Sequence, residues 1–179
     1  GPPMPGTEIR LAADGEVLIR RSALTFDGYH ERPAETAAAF DPTGEWLRTG
    51  DLGEVDGRGM LRVTGRKKDL IALSTGKKVA PAPLEARLAD DPWVAHALVF
   101  GENRKYLTAL IALRREPVEA WARAAGLDVA HDELVRHPDV LGRIQELVDR
   151  VNAGVSRTER IRRFKLLDRP LTLEADELT

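Results

Sequence analysis

Not one of the 179 residues is a cysteine. Disulfides, thiolate metal sites and covalent thiol catalysis are excluded for this chain on that ground alone. An excess of one charge is missing as well. The 27 basic and 29 acidic side chains leave a net charge of −2, without the basic footprint that nucleic-acid binding requires. No apolar run approaches the roughly 20 residues of a membrane-spanning helix. The opening residues 1–6 read as a Pro/Gly loop rather than a charged and then apolar leader. A cytoplasmic protein is expected, with no nucleic-acid partner and with peripheral attachment to a membrane left open. The histidines (His30, His96, His131 and His137) are scattered without metal-ligand spacing. No serine occupies a nucleophile elbow either.

What the chain does contain is enough apolar surface for a core, 42 % hydrophobic residues against 31 % charged ones. Its length accommodates one ordinary domain or two small ones. Alternation over 8–12 and 16–20 predicts a hairpin closed at 13–15. Pro33 opens a short alanine-rich helix ending at Ala39, and a turn over 41–44 follows. Short strands are predicted over 46–48, 52–55 and 60–64, so residues 1–65 make a small β-rich unit. Past Arg66 the character changes. A hairpin over 70–73 and 78–80 turns around Gly76, and a helix from Pro81 to about Asp90 presents Leu84 and Leu88 on one face. The apolar runs 94–100 and 107–113 predict two buried antiparallel strands. A helix over 117–125 stops at Gly126, a longer one starts at Asp139, and 164–167 is one more strand. Trp93 and Trp121 are expected as core or edge anchors, and the basic run 157–165 as a helix end. The fold class is α+β: a β-rich subdomain, then a small α+β domain with a short antiparallel sheet flanked by helices.

The chemistry gathers in the stretch 46–85. Asp51 closes a Thr-Gly-Asp corner, and Arg66 follows a turn and a strand. A carboxylate and a guanidinium, each beside a glycine, thus stand on two rungs of one antiparallel unit. A carboxylate carries only acceptor sites, so Asp51 suits a vicinal diol, taking one hydrogen bond from each hydroxyl. The ordinary alternative is a turn aspartate bonded to its own backbone. Arg66 offers a planar fork of donors that stays charged at any working pH. Its alternative is a surface ion pair with Asp69 or Glu54, worth roughly 0–1 kcal/mol. Lys67 and Lys68 read on their own as a solvated basic patch, and Gly76 as a hairpin glycine.

Those residues fall within several motifs in register: R-T-G-D-L-G (48–53), G-R-K-K-D-L-I (65–71) and S-T-G-K-K-V-A-P-A-P-L-E (74–85). Upstream stand G-E-V-L-I-R (15–20), D-G-Y-H (27–30) and E-T-A-A-A-F (35–40). Together they resemble the AMP-forming acyl-CoA synthetases, in the wording of the long-chain fatty acid branch. The resemblance implies an acid–thiol ligase. ATP and a fatty acid give an acyl-adenylate and pyrophosphate, and coenzyme A then displaces AMP, with Mg²⁺ in attendance. It implies Asp51 and Arg66 as nucleotide contacts, Lys68 as the hinge and Gly76 as lining of the pantetheine channel. It divides the chain into 1–65 (end of the large domain), 66–68 (hinge) and 69–179 (mobile C-terminal domain). Lys77 and Lys78 offer positive charge to coenzyme A phosphates. The abrupt start and the ending at 176–179 read as a fragment, inactive alone. A phosphate-binding Gly/Ser/Thr loop and an acyl tunnel have no counterpart in it, and its closing Glu-Leu-Thr resembles the approach to a catalytic lysine that the chain does not reach. Two rivals stay open: a relative that loads a carrier-protein thiol, and a non-catalytic module docking an acidic partner through Arg66–Lys68 and Lys77–Lys78. Oligomeric state is not legible.

Overall fold

A tight turn at Gly15, whose N–H bonds the Ala12 carbonyl, joins the first two strands, β1 (Ile9–Leu11) and β2 (Glu16–Arg20). The structure is a computed structural model and describes residues 1–169. Helix α1 (Pro33–Ala38) follows, with its proline in the first turn, where a backbone N–H has no intrahelical partner to lose. Strands β3 (Trp46–Val55) and β4 (Leu61–Arg66) complete an antiparallel sheet in the order β1-β2-β3-β4. The Asp56 carboxylate holds the β3–β4 turn by accepting from the N–H groups of Arg58 and Met60, each at 2.9 Å. A 3-10 turn, Lys67–Asp69, follows β4, and 1–70 forms one compact unit around Val17, Leu18, Phe40, Trp46 and Leu52.

One prediction changes here. The separate strands over 46–48 and 52–55 are a single ten-residue strand, β3. Residues 49–51 stay within it as a bulge instead of breaking it, because side chains of β2 and β3 take up the hydrogen-bonding groups that the ladder leaves unpaired.

The second unit begins at Ile71. It opens with the hairpin β5 (Ile71–Ala72) and β6 (Lys78–Val79), then α2 (Ala82–Ala89), which buries Leu84 and Leu88. Strands β7 (Val94–Phe100) and β8 (Leu107–Leu113) pair antiparallel, as their uninterrupted apolar runs predict. Three helices follow, α3 (Arg115–Ala124), α4 (His131–Leu134) and α5 (Pro138–Ala153), and then β9 (Ile161–Leu167). The core joins Leu88, Val94, Ile111, Val118, Leu134 and Ile144. Trp93 is buried against it and meets Trp121 edge-on, with ring centroids 5.5 Å apart. Asp91 accepts from the Trp93 N–H and pairs with Arg143 and Arg150, tying α5 to the start of β7.

The molecule is α+β, but two details of this unit differ from expectation. Strand β9 runs parallel to β8, so the sheet β7-β8-β9 is mixed. A parallel partner requires a long crossover, and α3 to α5 supply it. The basic run 157–165 is mostly strand rather than a helix end: Ile161 and Leu166 are buried while Arg162, Arg163 and Lys165 face outward. The Asn152 side chain fixes where that strand starts, donating to the Ile161 carbonyl and accepting from its N–H at 2.9 Å each. Helix α4, at four residues, is too short to leave a period in the sequence. The ending over 176–179 lies outside the described residues.

Candidate functional site

The Thr-Gly-Asp corner is a β-bulge. On the β2 side Leu18 faces Arg48 and Glu16 faces Leu52, so Val17 alone stands opposite Thr49, Gly50 and Asp51. Bulges redirect side chains and leave backbone groups without ladder partners. Here three such groups find side-chain partners. The Thr49 hydroxyl donates to the Val17 carbonyl at 2.7 Å and accepts from the Asp51 N–H at 3.0 Å. The Gly50 N–H donates to Glu16 Oε1 at 3.1 Å. Gly50 has φ +71°, a conformation that L side chains rarely adopt, so the corner needs glycine.

On its other edge Asp51 is a regular rung, directly opposite Arg66 on β4. The pair closes into an ion contact, Arg66 Nε to Asp51 Oδ1 at 2.8 Å. Both side chains remain accessible, 57 % for Arg66 and 30 % for Asp51. The two residues singled out in the sequence therefore meet, and Arg66 pairs with neither Asp69 nor Glu54. Glu54 is engaged by Arg62 at 2.8 Å. A carboxylate with four lone-pair positions, one of them directed at Arg66, keeps acceptor capacity for further hydroxyl groups.

Lys67 departs from the solvated patch expected of it. Its Nζ lies 2.6 Å from Asp14 Oδ2 and 2.9 Å from Glu16 Oε2. Lys68 is exposed and has no ion-pair partner among the described residues. Glu16 is the residue that sequence reasoning passed over: it is 3 % exposed, flanked by buried Val17 and Leu18, and also meets Arg48 at 3.4 Å. A charged residue opening an apolar strand is almost never fully buried unless paired.

The electrostatics follow from this packing. Burial works to raise the Glu16 carboxyl, but the Lys67 ammonium, the Gly50 N–H and Arg48 outweigh it and hold the group below its usual 4.5. Hydrogen bonding from Lys67 does the same for Asp14, whose usual value is 3.8. Lys67 is in turn raised, first by Asp14 and then by Glu16. A carboxyl lowered by folding stabilises the fold above its unfolded pKa, and that contribution is lost as pH falls through the folded value. The melting temperature of the chain is expected to drop as pH is lowered below about 4.5, and to drop less in Glu16→Gln, which has no carboxyl to titrate there. Equal slopes in a thermal denaturation series would remove Glu16 from this account.

Gly76 lies in the second unit, at the β5–β6 turn, with φ +79° and its N–H on the Leu73 carbonyl at 2.9 Å. A Cβ built there meets no atom within 4 Å. Lys77 and Lys78 beside it are exposed. Among the described residues no group of three or more His, Asp or Glu side chains comes together to hold a metal ion.

Comparison with known proteins identifies the family of the chain. The family model described as the AMP-binding enzyme C-terminal domain matches residues 68–172. The long-chain-fatty-acid–CoA ligase FadD15 of Mycobacterium tuberculosis is 40 % identical over 183 aligned residues, spanning all of this chain and 30 % of that protein. Long-chain-fatty-acid–CoA ligase 1 of Homo sapiens is 34 % identical over 86 % of this chain and 23 % of its own length. The chain thus spans under a third of the curated relatives it matches. Among solved structures, the adenylation domain of a carboxylate reductase from Mycobacterium chelonae aligns with a TM-score of 0.70 and 27 % identity, over 98 % of this chain and 27 % of that one. O-succinylbenzoate coenzyme A synthetase from Bacillus subtilis, in complex with AMP, aligns with a TM-score of 0.66 and 27 % identity, over 97 % of this chain and 33 % of that one. With the family model covering more than half of its residues, the chain belongs to the AMP-binding enzyme C-terminal domain family.

Proposed function

We propose that this chain serves an AMP-forming fatty acyl-CoA ligase, in which Asp51 and Arg66 hold the sugar-phosphate end of the nucleotide. The observation that carries the reading is the pairing of the two side chains across one ladder rung, both accessible, on a bulge that aims Asp51. A carboxylate is a poor electrophile until one oxygen becomes a good leaving group, and adenylation by ATP provides that. Asp51 accepts from the ribose hydroxyls and orients the adenylate. Arg66 both steers Asp51 and offers its remaining N–H donors to nucleotide oxygens. Lys68, exposed and without an ion-pair partner among the described residues, is the swivel about which the C-terminal domain turns between the two half-reactions, since hinge residues absorb the φ/ψ change. Gly76 lines the path of the thiol arm.

The curated relatives carry fatty acid–CoA ligase names at 31–40 % identity, which favours coenzyme A over a carrier protein as the thiol. The test is to follow the two steps separately in a full-length protein that carries this chain. Pyrophosphate release should require ATP and a long-chain fatty acid, and AMP release should then require coenzyme A. AMP release driven by a carrier-protein thiol and not by coenzyme A would reassign the acceptor. No acid-dependent pyrophosphate release with any fatty acid would remove the ligase reading.

A further inference from the structure

Glu16 is buried, yet it touches neither member of the Asp51–Arg66 pair. It instead holds the chain neighbour of each. One carboxylate oxygen accepts from the N–H of Gly50, the residue before Asp51, at 3.1 Å. The other accepts from the Nζ of Lys67, the residue after Arg66, at 2.9 Å. A buried carboxylate that lacks partners is costly, so burial at this position persists because the partners are present. Resting on the proposed function, we infer that Glu16 is a positioning residue for nucleotide binding, and that Lys67 is its counterpart just past the end of β4. Together they staple the bulge that aims Asp51 to the end of the strand that carries Arg66.

The physical reason is geometric. The bulge takes Thr49, Gly50 and Asp51 out of register with β2, so the ladder no longer fixes the Gly50 peptide. Glu16 is its hydrogen-bond partner in place of the ladder. On the other strand, Lys67 begins a 3-10 turn, where β pairing has ended. Its ammonium is drawn down onto Glu16 and Asp14, which fixes the backbone just past Arg66. Loss of the staple leaves Asp51 and Arg66 in place in the chain but free to separate, and a pair that must meet one ribose loses its preorganisation.

The experiment is a mutant cycle in the full-length ligase, reading KM for ATP and KM for the fatty acid. Glu16→Gln keeps the shape and an acceptor for Gly50 but removes the charge that holds Lys67. Lys67→Met breaks the same tether from its accessible end and covers the case in which the buried substitution impairs folding. Each is expected to raise KM for ATP about tenfold, as loss of a hydrogen bond to a charged group does, with KM for the fatty acid unchanged. In an Asp51→Ala background the same substitutions should add less than about twofold, because residues acting through one another are not additive. Full additivity, or equal effects on both substrates, would make Glu16 a merely structural residue and overturn the inference. An unchanged KM for ATP in both variants would overturn it as well, provided Asp51→Ala still raises that KM. Were Asp51→Ala itself without effect, the ribose assignment would fall first, and this inference with it.

Discussion

Replacing Asp51 by alanine in a full-length ligase that carries this chain is expected to raise KM for ATP about a hundredfold. Hydrogen bonds to a charged group contribute about 1.5–3 kcal/mol each, and about 1.4 kcal/mol corresponds to a factor of ten. Two ribose bonds lost together set the scale, reduced by whatever water restores. The fold should survive the change. Asp51 is partly exposed, its side chain's ion partner is the more exposed Arg66, and its backbone N–H stays bonded to the Thr49 hydroxyl. The chemistry of the nucleotide gives an internal control. With a 2′,3′-dideoxy analogue of ATP the wild type should fall toward the variant, since the diol that Asp51 receives is gone. A hundredfold gap that persists with the dideoxy nucleotide would mean that Asp51 acts on something other than the ribose.

A bulky replacement of Gly76 should slow thioester formation by about tenfold or more while leaving adenylate formation within about twofold, the pattern of an interaction made in one step only. The local geometry makes this test clean. No atom lies within 4 Å of the place a Cβ would take, so a side chain added at Gly76 meets open space in its own unit. What it does cost is backbone strain at φ +79°, about 1–2 kcal/mol for an L residue. Gly76→Ala bears nearly all of that strain without the bulk. The expected order is therefore a small effect for alanine and a large one for leucine or tryptophan, confined to the coenzyme A step. Equal slowing by alanine and tryptophan would assign the effect to strain. Equal slowing of both half-reactions would dissociate Gly76 from the thiol path.

How much of this was legible in the sequence depended on whether a residue's partners lay close along the chain. Strands β7 and β8 were read with their correct ends because their apolar runs are bounded by polar turns. The Asp51–Arg66 encounter was partly legible too: the turn between the segments that carry them predicts an antiparallel pair with the two residues on its rungs. Their direct ion contact was not, because nothing in the local pattern selects Asp51 over Asp69 or Glu54 as the partner of Arg66. Glu16 escaped for the same reason on a larger scale. Its partners Gly50 and Lys67 lie 34 and 51 positions away, and no periodicity links such distances. The direction of β9 was equally hidden, since a strand's sequence records which face is buried but not which way it runs beside its neighbour.

Asp51 and Arg66 together are expected to receive the ribose and phosphate of an adenylate. A crystal structure of the full-length ligase with a bound acyl-adenylate or AMP addresses it directly. A carboxylate oxygen of Asp51 is expected at about 2.5–3.0 Å from a ribose hydroxyl, with Arg66 still beside it and directed at the nucleotide. A ribose bound by other side chains, with Asp51 turned onto its own backbone and Arg66 in solvent, would contradict it.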